Sequence, residues 1–381
     1  MDITGVIVIC LPALAACYAA MILYFTLPLC RKPSVVAPAE DELPFVSVVV
    51  AARNEDRNIR RCLESILGQD YPAGLFEVIV SDDHSTDRTK AEALLASNTN
   101  LAVRLTLLEA GAGDGTGKKR AVERAVRAAK GTWILTTDAD TRREAGWLRT
   151  MATEALAPGT CMVLGPVRIE GVSCFGQVQA LEFAGVMGLT AGSAGAGLPL
   201  MCNGANLMYR KEDFENAGGL GGSLRYSSGD DQFLLEAFRR KFGGKAIRFA
   251  MKRSAVISTD AEETVAGFMH QRMRWVSKSR GYRDPAVIAA GALTYLVQVV
   301  ILLVAIAGCF HPALLLTALG CWGIKIVAEL PLVTRTAIFL GIGKNLWYYV
   351  PAQLFQLVYV PVAGVAGLIL PYRWKDRVIS A

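Results

Sequence analysis

Charge is scarce in this chain. Asp, Glu, Lys and Arg make up 19% of its 381 residues, below the roughly 25% of ordinary soluble domains. With 52% hydrophobic residues, the shortfall weighs against a wholly water-borne protein and points to membrane segments beside a soluble part. Histidine is almost missing. The three present, at 84, 270 and 311, have no metal-ligand spacing, which excludes a histidine-built metal centre and leaves them structural. Nine cysteines are odd in number, scattered and without a CxxC pair. That pattern weighs against a disulfide framework or zinc site, and a reducing compartment fits better. Basic tracts are also absent. The net charge of +6 comes from residues beside apolar runs, so they flank a membrane rather than bind nucleic acid. There is no internal repeat and no low-complexity tail.

The Gly-rich run Gly111-Ala112-Gly113-Asp114-Gly115-Thr116-Gly117-Lys118-Lys119 is incomplete as a nucleotide fingerprint. Ala112 and Lys119 break a Walker pattern, and Thr116 and Lys118 break both registers of GxGxxG. What remains is a loop presenting Lys118 at a helix N-terminus. That position suits a diphosphate, and it equally suits a solvated lysine.

What the chain does have is long apolar runs. Ile3 to Leu29 is long enough to span a bilayer. It lacks a basic n-region and a clean cleavage site, so it reads as an uncleaved anchor over residues 1–30. Arg31 and Lys32 put its C-terminal end in the cytoplasm, and 31–44 is a short linker. Residues 285–381 return to membrane character, with spans expected at Ala286–Phe310, Pro312–Leu330 and Leu346–Leu370. Lys325 and Glu329 share one helix face and can pair away from lipid, and Gln353 and Gln356 can face a neighbour. The basic residues set a puzzle. Arg272 to Arg283 place the first of these spans' starts inside, and Arg335 and Lys344 place the next loop inside. Three crossings then put Arg373, Lys375 and Arg377 outside. Either the charge rule is outvoted or one segment is re-entrant.

Between these lies a soluble body, residues 45–284. Apolar, β-branched runs at Val46–Ala52, Phe76–Val80, Val103–Leu108 and Thr132–Thr137 alternate with helical stretches at Asn58–Leu67, Asp87–Ala96 and Lys118–Ala129. That alternation predicts an α/β domain with a mostly parallel sheet covered on both faces. Gly176 to Leu200 is apolar and Gly/Ala-rich. It reads as a core helix plus a loop, with a place on the membrane surface or along an acceptor cleft as the other reading.

Acidic residues close three of these strands. Asp138-Ala139-Asp140 ends the fourth, at the sheet edge where ligands of open α/β sheets bind. Two carboxylates there favour a shared cation, and Mg²⁺-like ions use one or two carboxylates plus phosphate oxygens. The plainer reading takes Thr141-Arg142-Arg143-Glu144 as a capping box. Ala52-Arg53-Asn54-Glu55 ends the first strand and Ser81-Asp82-Asp83-His84 the second. Asp83 suits a base N–H or ribose hydroxyl, while Ser85 or Asp87 suits a helix cap. Ser227-Ser228-Gly229-Asp230-Asp231 opens a helix, with one acid as N-cap and the other free to act as general base. Gln271-Arg272-Met273-Arg274-Trp275 precedes the first C-terminal span. It reads as interfacial anchoring, or as Trp275 stacking on a sugar with Gln271 and Arg274 meeting phosphate oxygens.

Taken in order from Val46 to Trp275, these motifs resemble the membrane-bound inverting glycosyltransferases of family 2, which include hyaluronan, chitin-oligosaccharide and cellulose synthases and ceramide glucosyltransferase. The resemblance implies a GT-A fold, Rossmann-like, with one N-terminal and about three C-terminal transmembrane helices. It implies that Ala52, Asn54, Glu55, Asp83, Lys118, Asp138, Gln271, Arg274 and Trp275 bind the nucleotide sugar. Asp138 and Asp140 match its DxD motif for Mg²⁺ or Mn²⁺. Gly204, Asn206 and Trp275 fall at acceptor positions, and Asp231 matches the catalytic base beside Asp230. Asp230 replaces the usual glutamate there, and Glu123 stands where many members have Asn. The implied reaction is inverting transfer of a hexosyl group from a nucleoside diphosphate sugar of the UDP type to a lipid or glycan acceptor. The expected setting is the inner or plasma membrane with the catalytic domain cytoplasmic. A small processive polysaccharide synthase and a catalytically silent nucleotide-binding scaffold are the competing readings.

Overall fold

A computed structural model describes residues 3–30, 38–111, 113–221, 229–374 and 377–379. Arg31, Lys32, Ser227, Ser228 and Lys375 lie outside the described residues. Helix α1 (Ile3–Thr26) comes first. It is followed by β1 (Val46–Ala52), α2 (Ile59–Leu67), β2 (Phe76–Asp82), α3 (Thr89–Ala96), β3 (Arg104–Glu109), α4 (Lys118–Ala128) and β4 (Trp133–Asp138). Next come β5 (Arg142–Arg143), α5 (Trp147–Ala155), β6 (Met162–Leu164), β7 (Val167–Glu170), α6 (Cys174–Gly195), β8 (Leu207–Arg210) and α7 (Lys211–Asn216). The chain continues through α8 (Asp230–Phe242), β9 (Ile247–Phe249), β10 (Ile257–Asp260), α9 (Val265–Ser277), α10 (Pro285–Gly308), α11 (Pro312–Phe339) and α12 (Tyr349–Ile369). Strands β11 (Tyr372–Trp374) and β12 (Arg377–Ile379) close it.

Contacts divide the chain into two units. The first comprises Lys32–Glu170 and Gly197–Asp260. Its main sheet has the order β3-β2-β1-β4-β8-β6-β9. The first four of these run parallel, β8 is antiparallel to both β4 and β6, and β9 is parallel to β6. Val46, Val48, Val49 and Val50 of β1 are fully buried, as β-branched residues with helices on both faces should be. In α4, Ala121, Val122, Ala125 and Val126 form the buried stripe, the helical period that covers a sheet. Register levels the strand tips: Ala52 pairs with Asp82, and Ala51 with Asp138. A small second sheet, β5-β10-β7, lies in the same unit. The capping-box reading of Thr141–Glu144 fails here. Arg142–Arg143 is a strand, and the next helix starts at Trp147 with Gly146 as N-cap.

The second unit comprises Met1–Arg31, Gly171–Ala196 and Ala261–Ala381. Segments 171–196 and 261–284, expected within the soluble body, therefore cluster with the apolar helices. The reason is physical: α6 buries Leu181, Phe183, Ala184 and Met187, and its Gly185 and Gly188 meet Val333, Leu332 and Thr336 of α11. Among the described residues, four helices are long and apolar enough to cross a membrane: Thr4–Cys30, Pro285–Gly308, Pro312–Phe339 and Gly343–Ile369. Helices α1, α10 and α11 pack on one another, whereas α12 packs on α6, α9 and α10. A side chain on Gly308 would strike the Leu315 backbone at 2.6 Å, so glycine lets the α10–α11 hairpin close. Lys325 and Glu329 pair at 2.8 Å. Lys325 Nζ also donates to Gln353 at 2.6 Å and Gln356 at 2.7 Å, and Tyr18 of α1 donates its hydroxyl to Glu329. The charged groups of the apolar helices are thus satisfied inside the bundle, as hydrocarbon surroundings would demand.

Candidate active site

The site of the first unit is built on the level tips of β2, β1 and β4. At the β1 tip the chain turns sharply. Asn54 has φ +50° and His84, at the β2 tip, φ +59°. Asn and His tolerate this left-handed region better than bulkier residues. Cross-bonds hold the two tips together: Asn54 N–H donates to Ser85 Oγ at 3.0 Å, and Thr86 N–H to Asn54 Oδ1 at 2.9 Å. Glu55 N–H donates to Thr89 Oγ1 at 2.7 Å, while the Glu55 carboxylate accepts from Asn58 at 3.1 Å. The Ala52 carbonyl accepts from Asp83 N–H at 2.8 Å. Asp87 takes Thr89 N–H at 2.9 Å and Asp56 N–H at 3.1 Å. Partial burial works to raise its carboxyl, but the Thr89 and Asp56 bonds outweigh that and hold it below the usual range. The N-cap position of α3 is held by Arg88, without a side-chain cap bond, so Asp87 meets the helix start from one residue before the cap expected of it.

Asp83 is only 4% exposed. Both of its oxygens accept the Gly117 N–H, at 2.9 and 3.0 Å, and Arg53 Nη1 donates to its carbonyl at 2.7 Å. Gly117 has φ +108° and is the N-cap of α4. Asp83 thus anchors the glycine loop, and that loop delivers Lys118. Lys118 is the hub of the site, not a solvated lysine. Its Nζ lies 2.6 Å from Asp138 Oδ1 and 3.8 Å from Asp230 Oδ2. Burial tends to lower its ammonium, but Asp138, Asp230 and Asp231 outweigh burial and raise it, so it stays charged.

Asp231 sits across from the DxD turn. Its Oδ2 accepts Gly204 N–H at 3.1 Å and its Oδ1 accepts Gln232 N–H at 2.7 Å, which fixes the carboxylate plane. Neither acid is the N-cap of α8, correcting that expectation; Gly229, with φ +86°, holds the position. A Cβ on Gly204 would come within 3.3 Å of Asp231, 3.4 Å of Asp230 and 3.5 Å of Lys118 Nζ. Gly204 is therefore the floor on which the three charges meet.

The DxD turn is held from below by residues the motif did not name. Thr141 Oγ1 donates to the Asp138 carbonyl at 2.7 Å, and Cys62 Sγ to the same oxygen at 3.5 Å. Burial pushes the Cys62 thiol up, against the pull of Arg143, with Asp140 adding to the rise. Asp138 and Asp140 are half-buried on either side of buried Ala139. Among the described residues no three His, Cys, Asp or Glu side chains gather to cage a metal. The donor set still fits an ion that takes one or two carboxylates and completes its shell with diphosphate and water. A cation, the Lys118 ammonium, already satisfies the Asp138 carboxylate.

Asn206 corrects an expectation. It is fully buried, and its amide is spent on the scaffold. Trp147 Nε1 donates to its Oδ1 at 3.0 Å, and its Nδ2 donates to the Pro166 and Ala255 carbonyls at 2.9 and 3.0 Å. It has no surface for an acceptor. Gln271, Arg274 and Trp275 lie on α9 in the second unit. Gln271 donates to Glu262 at 3.3 Å and accepts from Arg272 at 3.2 Å. Arg272, read from sequence only as a flanking charge, is 4% exposed. It ion-pairs with Glu182, which Tyr359 also bonds. Its guanidinium lies 4.1 Å from the Trp275 ring centre and 4.4 Å from that of Phe268, and Trp275 also packs on Phe183. Glu182 was missed. Its signal is a lone acid in an apolar helix.

A mostly parallel sheet with acidic tips and a DxD turn is the build of a GT-A glycosyltransferase. Residues 47–218 match the glycosyl transferase family 2 profile. An N-acetylglucosaminyltransferase of Bradyrhizobium sp. (strain ANU 289) is 35% identical over 129 residues, 31% of this chain and 80% of the relative. This chain belongs to glycosyl transferase family 2. A beta-monoglucosyldiacylglycerol synthase of Nostoc sp. (strain PCC 7120) is 35% identical over 101 residues, 26% of this chain and 21% of the relative. The matches span about a fifth to a third of the length of the first curated relatives. In fold, the chain is similar to the mannosyltransferase PcManGT from Pyrobaculum calidifontis, solved with GDP-Man and Mn²⁺. The TM-score is 0.64 at 21% identity, covering 98% of this chain and all of that one.

Proposed function

We propose that the protein transfers a hexosyl group, with inversion, from a nucleoside diphosphate sugar of the UDP type to a hydroxyl of a lipid or lipid-linked acceptor at the cytoplasmic face of the membrane. The observation that carries this reading is the meeting of Asp138, Lys118, Asp230 and Asp231 over Gly204 at the C-terminal sheet edge. Asp83, Asn54, Glu55 and the Ala52 backbone shape the nucleoside end. Lys118 offers its ammonium to the diphosphate on its way to leaving. Asp231, oriented by two backbone N–H groups, takes the proton of the acceptor hydroxyl, which attacks the anomeric carbon from the opposite face. One displacement with one base inverts the configuration, the same face logic that governs inverting glycosidases. Asp138 and Asp140 would hold Mg²⁺ or Mn²⁺, which neutralises leaving-group charge when bound. The apolar helices and the likeness to a glycolipid synthase support a lipid acceptor.

The test is Asp231→Asn. It preserves shape and removes the base, so transfer should fall by at least about 10²-fold while donor binding, followed by calorimetric titration, is retained. Unchanged turnover overturns the base assignment. Product mass from purified protein then separates a single transfer from chain growth.

A further inference from the structure

We infer that α12 does not cross the membrane. It lies in the plane of the leaflet from which α10 sets out, with one face against acyl chains, and the chain makes three crossings rather than four. The inference rests on reading α10 and α11 as spans. These two form a hairpin closed at Gly308 and Leu315, and depth can be counted from that tip. Tyr295 lies 13 residues before Gly308, and Ile326 lies 14 residues after Pro312. At ~1.5 Å per residue both stand ~20 Å from the tip. The start of α12 sits at that level, because Tyr349 donates its hydroxyl to the Ile326 carbonyl at 2.6 Å. So does its far half: Tyr295 donates to the Pro361 carbonyl at 3.4 Å, and a Cβ on Gly364 would come within 2.1 Å of the Tyr295 ring. Tyr349 and Gly364 are separated by ~22 Å of helix. Two contacts so far apart along one helix, at equal depth, set its axis along the membrane plane.

The end of α12 agrees. A Cβ on Gly367 would meet the Met273 carbonyl and Val276 of α9 at 2.8 Å. Arg280 donates to the Leu368 carbonyl, and Ser277 bonds Tyr372 at 3.4 Å. Residues 273–280 immediately precede α10, so α12 finishes on the side where α10 starts. Its buried face carries Gln353, Tyr359, Ala363 and Gly367. Its other face is a stripe of Val350, Leu354, Val358, Val362, Val365 and Ile369, each more than half exposed. That stripe lies at the level of exposed Leu296 and Val327 on the hairpin, so its partner is the same acyl layer. The charge puzzle then resolves: the basic residues before α10, after α11 and after α12 all fall on one side, as the positive-inside rule requires.

Topology reporters on the full-length chain test this. Alkaline phosphatase fused after Ala381 should be inactive and a green fluorescent protein there should fluoresce, while native Cys309 at the hairpin tip reacts with an impermeant maleimide from outside. An active phosphatase at the tail, with Cys309 outside, overturns the inference and leaves the spans standing. A Cys309 that reacts only from inside overturns the spans and the inference together. Nitroxides placed at Leu354, Val358 and Val362 should report equal depths and high oxygen accessibility. A steady change of depth along the three overturns the in-plane axis. Low oxygen accessibility, the mark of a second copy seated on the stripe, overturns the lipid assignment.

Discussion

Lys118 shows how one side chain can hold a cluster of acids together before any ligand arrives. Asp138 and Asp230 would repel each other across the cleft, and the ammonium between them removes that cost. Lys118→Gln is expected to weaken donor binding roughly tenfold, ~1.4 kcal/mol, in calorimetric titration with the nucleotide sugar. Equal affinity in both proteins would remove Lys118 from the diphosphate site. At this scale the sequence announces types but not partners. Asp83 is legible as an acid at a strand tip, yet its bond to the Gly117 N–H joins residues 34 apart, and only the fold brings them into reach. Asn206 reads like a site residue because the resemblance puts the segment Asn203–Asn206 at the acceptor. Its burial is set by Trp147, Pro166 and Ala255, none of which its own neighbourhood reveals.

Among the elements, β1 to β4 are legible because each carries a short, mainly apolar run bounded by turn residues. Strands β6, β7, β9 and β10 are three or four residues long, too short for any period to show. Helix α11 runs on through Pro331 to Phe339, past the expected end at Leu330. A proline usually ends a helix, but here the turns beyond it pack on α6 through Leu332, Val333 and Thr336. The tie between β8 and α5 is sharper still. Gly165 lies so near Asn206 that a Cβ would overlap its amide at 2.1 Å, and the amide bridges three chain segments. Asn206→Ala should therefore cost about 3 kcal/mol through the buried partners left unbonded, read as a drop in the midpoint of chemical unfolding. A shift within about 0.5 kcal/mol would show that water replaces the amide.

The whole molecule divides along lines that a linear reading cannot draw. The α/β unit and the apolar unit each take non-adjacent stretches of chain, because α6 and α9 carry apolar faces that belong with the apolar helices. Helix α1 is more than an anchor in this arrangement, since it packs along α11 and satisfies Glu329. Removing residues 1–30 should leave a protein that aggregates in detergent, judged by size-exclusion chromatography beside the full chain. A monodisperse product with unchanged melting would reduce α1 to a tether.

The Tyr18–Glu329 bond joins residues 311 apart. At ~5–20 residues per second, translation takes roughly 15–60 s to pass from one to the other. Throughout that interval the first helix is without its acidic counterpart, and the glycine surface of α6 that meets its C-terminal end arrives only midway. Assembly of the bundle is therefore a late event in biosynthesis, and a ribosome stalled anywhere before α11 leaves an early helix whose hydroxyl lacks the carboxylate that accepts from it.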